Sequence, residues 1–146
     1  MTHQSSTLQQ AALVEAKKWI GTPYQHQASL CQIGSDCLGL VRGVWRHLYG
    51  PEPFEIPAYG MHWAEMDDAD TLLQAAQQYL VEIPIESAGP GNVLLFRFSP
   101  KHVAKHCAIM SAPLRIIHAY WGQSVSETSL TPWWQKRLTA AFKFPD

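Results

Sequence analysis

Apolar residues in the first half of the chain recur every three or four positions, the spacing of amphipathic helices. Thr7 and Gln10 form a capping-box pair at the start of the first helix, and Gly21 is typical of its end. The predicted helices run from about Leu8 to Ile20, from Asp36 or Cys37 to Gly50-Pro51, and around Ala64 to Leu80. The first half of the chain is therefore predicted to be helical.

The second half of the chain changes to the patterns of strands, beginning after the turn Gly89-Pro90-Gly91. Short connections separate these segments, so sequence neighbours should pair in antiparallel fashion. The predicted strands are Asn92–Phe98, His106–Met110, Arg115–Tyr120, Ser124–Thr128 and Ala140–Phe144. Helices followed by strands predict an α+β domain, with the helices on one side of an antiparallel sheet, and argue against a doubly wound parallel sheet.

Composition indicates an ordinary folded domain. The 146 residues are 47% hydrophobic and 16% charged, which predicts one domain over residues 1–146 with its own core. A formal net charge of -1 does not favour nucleic acid or an anionic membrane as a partner. The N-terminus lacks the pattern of a secretory signal and no run is apolar enough to span a bilayer, so we expect cytosolic synthesis without membrane insertion.

One of the three cysteines, Cys37, is a candidate nucleophile. Cys31, Cys37 and Cys107 are an odd number in a chain without an export signal, which argues against a disulfide framework. Cys37 lies where a loop enters the second predicted helix. There the backbone N–H groups and the helix dipole favour thiolate and raise nucleophilicity at neutral pH. Taken alone, such a cysteine is more often a small core residue, so the hydrolase hypothesis needs a histidine partner.

Two histidines on predicted strands are candidates for that partner. His106 and His118 are twelve positions apart around a predicted hairpin turn, and this even separation lets them sit opposite each other on one sheet face. His102 would share the face of His106 on a continuous strand, but it follows the loop-like segment Ser99-Pro100-Lys101. We therefore prefer His106 as the base. Cys107 should point to the opposite face and belong to the core.

Four segments resemble the NlpC-type cysteine peptidases of bacterial cell walls, with matching order and spacing. They are Gly21-Thr22-Pro23-Tyr24, Ser35-Asp36-Cys37-Leu38-Gly39-Leu40, His106-Cys107-Ala108-Ile109-Met110 and Ile117-His118-Ala119. A further segment, Gly89–Phe96, is similar to the strand before the family's histidine, and the resemblance covers nearly the whole chain. Its nearest form is the single-domain branch of prophages and gene transfer agents. The motif Leu-Val-Arg-Gly-Val-Trp after the cysteine and a Trp-Trp pair near the C-terminus indicate that branch.

This resemblance implies a papain-like fold with a Cys-His-His triad that needs no cofactor or metal. Cys37 would be the nucleophile, His106 the general base and acid, and His118 the residue that holds the His106 imidazole. Tyr24 falls where the family has a tyrosine near the oxyanion and substrate, and Asp36 where an acidic residue lines the substrate cleft. The implied substrate is the peptide stem of peptidoglycan, cleaved often beside a γ-linked D-glutamate.

Two departures from the family pattern leave the cleaved bond open. Leu38 stands where many members have Ser, and Cys107 stands where a small or apolar residue usually follows the histidine. Neither removes an atom of the triad. Transfer of the acyl group to an amine or hydroxyl instead of water also stays open.

Two other functions compete with the hydrolase. A zinc module could draw four ligands from Cys31, Cys37, His102 and His106, although the five-residue gap between the cysteines exceeds the usual two to four. A catalytically silent phage tail component could bind cell wall or another tail subunit, with a surface built from aromatic residues. The tryptophans late in the chain that suit such a surface are Trp121, Trp133 and Trp134.

Overall fold

The helices and strands follow the order that the sequence predicts. The computed structural model of the chain describes residues 7–53 and 70–146. Its helices are α1 Thr7–Lys18, α2 Cys37–Tyr49, α3 Thr71–Tyr79 and α4 Pro132–Gln135, with a 3-10 turn at Ile85–Ser87. Its strands are β1 Ser29–Leu30, β2 Gly34–Ser35, β3 Val81–Ile83, β4 Val93–Phe96, β5 His106–Ala112, β6 Arg115–His118, β7 Ser126–Ser129 and β8 Leu138–Lys143.

The main sheet is antiparallel at each of its described pairings. Within the described ranges it has six strands in the order β3-β8-β4-β5-β6-β7, and β1 and β2 form a separate small hairpin. Strands β4 to β7 follow one another by short connections, and β8 returns to lie between β3 and β4. The predicted α+β class with an antiparallel sheet is confirmed.

The two faces of the sheet are covered differently. Helices α1 and α2 pack on one face, where Leu40 and Val44 of α2 belong to the same buried cluster as Cys107 and Ile109 of β5. The other face carries a smaller cluster that includes Phe96, and Trp134 of α4 packs against it. The sheet is therefore buried on both sides, which explains why β4 is apolar at each of its four positions rather than alternating.

A glycine lets the first two helices approach closely. A Cβ added at Gly43 of α2 would lie 2.0 Å from Cζ2 of Trp19. The indole lies against the helix backbone at that point, and Trp19 is 2% exposed. Any larger residue at position 43 would push α1 away from the helix that begins at Cys37.

Several predicted boundaries shift in the structure. Helix α1 ends at Lys18 rather than Ile20 and already includes Thr7, while the predicted start of the third helix, residues 64–69, lies outside the described residues. Strand β6 ends at His118 rather than Tyr120, and the last two predicted strands move by about two residues to Ser126–Ser129 and Leu138–Lys143.

Five short described elements were absent from the sequence-based prediction. They are the two strands of the β1–β2 hairpin, β3, the 3-10 turn at Ile85–Ser87 and the single-turn α4. Each is only two to four residues long, so hydrophobic periodicity has no room to appear. Thr131 and Pro132 do mark α4 in the sequence, as a capping hydroxyl and a proline in the first turn. No helix in these described parts has the length and apolar character required to cross a membrane.

Candidate active site

The cysteine predicted as nucleophile is the first residue of α2, and its neighbour holds the helix start in place. Asp36 has an extended backbone, and its Oδ1 accepts a hydrogen bond from the Gly39 N–H at 2.8 Å. Its Oδ2 accepts from the N–H of Gln27 at 2.8 Å. The carboxylate therefore caps α2 and ties it to the preceding loop, which orients Cys37 at the positive end of the helix.

The thiol of Cys37 lies between two hydrogen-bonding partners from β5. Hydrogen bonds with the Cys107 thiol and with His106, together with the charge of His106, hold the pKa of Cys37 well below its ordinary value. Burial and the Asp36 carboxylate act in the opposite direction and are outweighed. The pKa of Cys107 is raised well above its ordinary value, first by the hydrogen bond to Cys37 and then by burial. Cys37 is thus the thiolate of the pair, and Cys107 the donor.

The two predicted histidines are hydrogen-bonded to each other. Nε2 of His106 lies 2.9 Å from Nδ1 of His118, and Nε2 of His118 lies 3.0 Å from Oγ1 of Thr128. Burial, and then the charge of His106, lower the pKa of His118 to about 3. A neutral His118 has one N–H and one lone pair, so it can accept from His106 and donate to Thr128.

The prediction that the two histidines share one face of adjacent strands is confirmed, but they are not directly opposite. Ile109 pairs with Ile117 and Met110 with Ile116, and continuing this register sets His118 across from Ala108. His106 is two residues away along β5, so the two histidines are diagonal neighbours. Only the even separation can be read from the sequence. The register depends on how the turn closes, where a shift lies between Met110 and Ala112.

Aromatic side chains surround the ring of His106. Trp134 stacks on it with centroids 5.1 Å apart, and Tyr120 meets it edge-on at 5.6 Å. Phe96 and Phe98 lie at 5.8 and 6.1 Å. His106 is 3% exposed in this setting. The surroundings hold the ring in one orientation and keep water from its back face, which strengthens the hydrogen bonds it makes.

Tyr24 also comes to the site. Its backbone bridges to Ser35, which immediately precedes the capping residue, and its side chain is half-buried. Burial, and then the charges of Cys37 and Asp36, raise the pKa of Tyr24 to about 12. The phenol stays protonated and able to donate a hydrogen bond near the thiolate.

Asp36, predicted to line the substrate cleft, is 3% exposed and uses both carboxylate oxygens on backbone N–H groups. It also approaches His26, with Nδ1 3.9 Å from Oδ2. Its observed role is to position the helix that carries Cys37. Contact of Asp36 with substrate stays a prediction.

The other candidates lie away from this group. His102 is exposed in a turn, where its N–H donates to the Ser99 carbonyl, so the loop expected there is confirmed. Cys31 is exposed and its Sγ lies 3.4 Å from the Lys18 carbonyl oxygen. Residues 7–53 and 70–146 contain no group of three or more His, Cys, Asp or Glu side chains that could hold a metal ion. The four residues of the zinc hypothesis are not gathered at one point.

Two polar partners were not foreseen from the sequence. Cys107 belongs to the core face as predicted, but its thiol also reaches Cys37, with Sγ 3.3 Å from the Cys37 carbonyl oxygen. Thr128 lies within a strand that was predicted, yet only the β6–β7 register brings its hydroxyl to His118. Nothing in the local sequence distinguishes either residue. A thiolate paired with an imidazole that a second imidazole orients is an arrangement suited to nucleophilic acyl chemistry.

Comparison with known proteins agrees with this geometry. The sequence pattern of the NlpC/P60 family matches residues 21–143. The chain is 27% identical over 133 residues to the gamma-DL-glutamyl hydrolase of Bacillus subtilis, covering 89% of this chain and 28% of that protein. The chain thus spans little more than a quarter of that curated relative.

Solved structures give the fold. A lipoprotein-like protein of the NLP/P60 family from Staphylococcus aureus superposes with a TM-score of 0.67 at 23% identity, over 99% of this chain and 44% of that one. The NlpC/p60 domain of the peptidoglycan hydrolase SagA superposes with a TM-score of 0.64 at 26% identity, over 93% of this chain and 98% of that one. The papain-like fold implied by the sequence resemblance is therefore confirmed.

Proposed function

Because the chain belongs to the NlpC/P60 family, we propose that it is a cysteine peptidase that hydrolyses amide bonds in the peptide stems of peptidoglycan. The observation that carries the proposal is the hydrogen-bonded series from Cys37 through His106 and His118 to Thr128. Such a series supplies a nucleophile, a proton carrier and a group that orients the carrier.

The proposed reaction begins with attack of the Cys37 thiolate on the carbonyl carbon of the amide. The oxyanion that forms accepts hydrogen bonds from the Tyr24 phenol and from backbone N–H groups at the start of α2. His106 gives its proton to the departing amine, which leaves a thioester on Cys37. His106 then takes a proton from the attacking water, the C–S bond breaks and the carboxylic acid product leaves, which restores the Cys37 thiolate and the protonated His106.

His118 and Thr128 serve the same steps by position. Nδ1 of His118 accepts the Nε2–H of His106, which leaves the other nitrogen of His106 for the sulfur and the leaving group. When His106 is protonated, Nδ1 of His118 must accept its Nε2–H, so the proton of the neutral His118 ring lies on Nε2 and is donated to Oγ1 of Thr128. Both rings are therefore already in the protonation state and orientation that the reaction requires.

The names of two relatives support the substrate class. One is a gamma-DL-glutamyl hydrolase and another is the peptidoglycan hydrolase SagA, at 27% and 26% identity to this chain. Both names denote hydrolases, and the second denotes the cell-wall polymer itself. We therefore propose a peptide stem of peptidoglycan as substrate and water as acceptor, in preference to an acyl transfer to an amine or hydroxyl.

A digest of purified peptidoglycan tests the proposal. The protein should release fragments whose masses show one broken amide bond, and Cys37→Ala and His106→Ala should each lower the rate at least about a thousand-fold. His102→Ala is the matched control, because that imidazole is exposed in a turn, and it should keep nearly the full rate. A product carrying an added amine would identify a transferase. Intact peptidoglycan with stable binding would instead favour the silent tail component.

The sequence resemblance also leads us to propose a setting. The protein would be made in the cytosol as a component of a prophage or gene-transfer-agent particle, next to tail proteins, and would act on the cell wall when the particle meets a cell. Antibody detection in purified particles, after induction of the host strain, tests this setting. Presence of the protein in cells and its absence from particles would argue against it.

A further inference from the structure

A cavity of about 430 Å³ lies beside the active site, and its lining combines basic, small polar and apolar residues. It opens between the end of β4 and the start of β8, at the same end of the sheet as His106. Three of its lining residues are Arg97, Lys136 and Arg137, and none of the lining residues is acidic. The proposed peptidase reaction makes no use of this cavity.

Both guanidinium groups are already held in place. Nε and Nη2 of Arg97 donate to Oγ1 of Thr139 at 3.1 and 2.5 Å. Cζ of Arg137 lies over the ring of Trp133, 3.7 Å from its centroid, and Nη1 of Arg137 donates to the Trp133 carbonyl at 2.8 Å. Side chains ordered in this way lose little further entropy when they bind an anion.

Each of these guanidinium groups keeps donors for another partner. Nη1 of Arg97 and Nη2 of Arg137 are not used in the contacts to Thr139 and Trp133. Nε of Arg137 is buried, and within the described residues no hydrogen-bond acceptor satisfies it. A buried N–H of a cation without an acceptor is costly, and the charge of an anion held by Nη2 of the same guanidinium would offset part of that cost.

Long stretches of the sequence on either side of these basic residues contain no carboxylate. No Asp or Glu occurs between Glu86 and Glu127, or between Glu127 and Asp146 at the end of the chain. The first interval contains β4, β5 and β6, and the second contains β8. The two segments that line the cavity, residues 97–100 and 136–139, therefore contribute basic side chains and no carboxylates, although the net charge of the whole chain is only -1.

One aromatic ring separates the cavity from the catalytic base. Phe98 lines the cavity, and its ring centroid is 6.1 Å from that of His106 and 6.2 Å from that of Trp133. An extended peptide spans about 3.3–3.6 Å per residue, so a side group within a few residues of the cleaved bond can reach the cavity.

We propose that this cavity binds a carboxylate of the substrate peptide and so selects acidic peptides for cleavage at Cys37. A planar carboxylate matches the fork of N–H donors that each guanidinium presents, and it carries the charge that Lys136 also attracts. The proposal rests on the peptidase function proposed above and adds a specificity to it.

The kinetic test compares two synthetic γ-glutamyl peptides with the same cleavable bond, one with a free carboxylate near that bond and one with the corresponding amide. The protein should prefer the acidic peptide by about tenfold or more in kcat/KM. In Arg97→Gln with Lys136→Gln, KM for the acidic peptide should rise about tenfold, with the amide peptide little changed. The control is Lys143→Gln with Arg115→Gln, which removes the same charge elsewhere on the sheet and should keep the preference.

A binding test separates this proposal from the peptidase function. Cys37→Ala protein should bind the acidic peptide more tightly than the amide in calorimetry, with an affinity that falls as salt is added. In the Cys37→Ala protein, the further substitution Lys136→Gln should weaken binding of the acidic peptide several-fold. Lys136 is exposed, so this variant should fold even if an Arg97→Gln variant does not. Equal binding of both peptides would overturn the proposal whether or not the chain cleaves either. So would inorganic phosphate that binds tightly while the acidic peptide fails to displace it.

Discussion

At the scale of single residues, the proton on Cys107 has two acceptors within reach. Its Sγ lies 3.3 Å from the Cys37 carbonyl oxygen, and its thiol also bonds to the Cys37 sulfur. A charged acceptor forms the stronger bond, so the S–H turns to the sulfur when Cys37 is a thiolate and to the carbonyl when it is a thiol. A residue that fills the core thus also stabilises the reactive form of the nucleophile.

We expect Cys107→Ala to raise the pKa of Cys37, because the largest stabilising contact of the thiolate is then lost. Cys107→Ser keeps a donor of similar size and should stay close to the unmodified protein. The measurement is the rate of alkylation by limiting iodoacetamide across pH, followed by peptide mass. At neutral pH the rate at Cys37 should fall several-fold in the Ala variant only.

Cys31 gives an internal control in the same samples. It is exposed, and burial followed by the charge of Glu15 raises its pKa, so its alkylation should be slower than that of Cys37 and equal in all three proteins. Faster modification of Cys31 than of Cys37 in the unmodified protein would contradict the assignment of the nucleophile.

At the scale of elements, the start of α2 joins stability to reactivity through Asp36. The carboxylate caps the helix with Oδ1 and holds the Gln27 N–H with Oδ2, and its charge opposes ionisation of Cys37. The cap and the charge therefore affect the protein in opposite ways. The Asp36 carboxylate makes Cys37 harder to ionise, but it also holds the start of the helix that positions Cys37.

Asp36→Asn separates these two effects. An amide has one oxygen in place of two, so the free energy of unfolding should fall by about 1 kcal/mol in urea titration. The pKa of Cys37 should fall at the same time, because the neighbouring negative charge is gone. If Asp36 instead binds substrate, as the family resemblance implies, Asp36→Asn should also raise KM strongly, although most of the variant stays folded. An unchanged stability would show that the cap contributes little.

Strand register is the other feature of this scale. His118 pairs with Ser126 across β6 and β7 but bonds to Thr128, and it bonds to His106 although it lies across from Ala108. Both contacts of its ring are diagonal. Diagonal neighbours on one face are within reach of ring side chains, so a single register shift in either pair would break the series.

At the scale of the whole molecule, a buried neutral histidine makes the fold sensitive to acid. The pKa of His118 is about 3 in the folded protein and 6.5 when unperturbed. As pH falls between these values, the unfolded chain takes up a proton that the folded protein does not. The contribution of the neutral ring is therefore complete above pH 6.5 and is lost progressively as pH falls toward 3.

We expect this group alone to lower the free energy of unfolding by about 2–3 kcal/mol between neutral pH and about pH 4.5. His118→Gln has no titrating ring, so its loss of stability over the same interval should be smaller by that amount. Urea unfolding of both proteins at the two pH values measures the difference. Parallel losses in the two proteins would mean that other groups cause the acid sensitivity.

The sequence by itself determined the α+β class, placed the start of α2 at Asp36 or Cys37, and gave His106 and His118 the even separation that a shared face requires. These follow from local signals, namely helical spacing, the change to strand patterns and an even separation across one turn. The catalytic roles of Cys37, His106, His118, Tyr24 and Asp36 stay predictions, supported by the geometry that the structure adds.

Only the tertiary structure decided the contacts of Cys107 and Thr128, the aromatic surroundings of His106 and the basic cavity beside it. Each of these joins segments far apart in the chain, as with Cys37 and Cys107, whose contact spans 70 positions. Such contacts depend on strand order, register and the packing of α2 on the sheet. Those follow from burial summed over the whole fold, so no local pattern of residues encodes them.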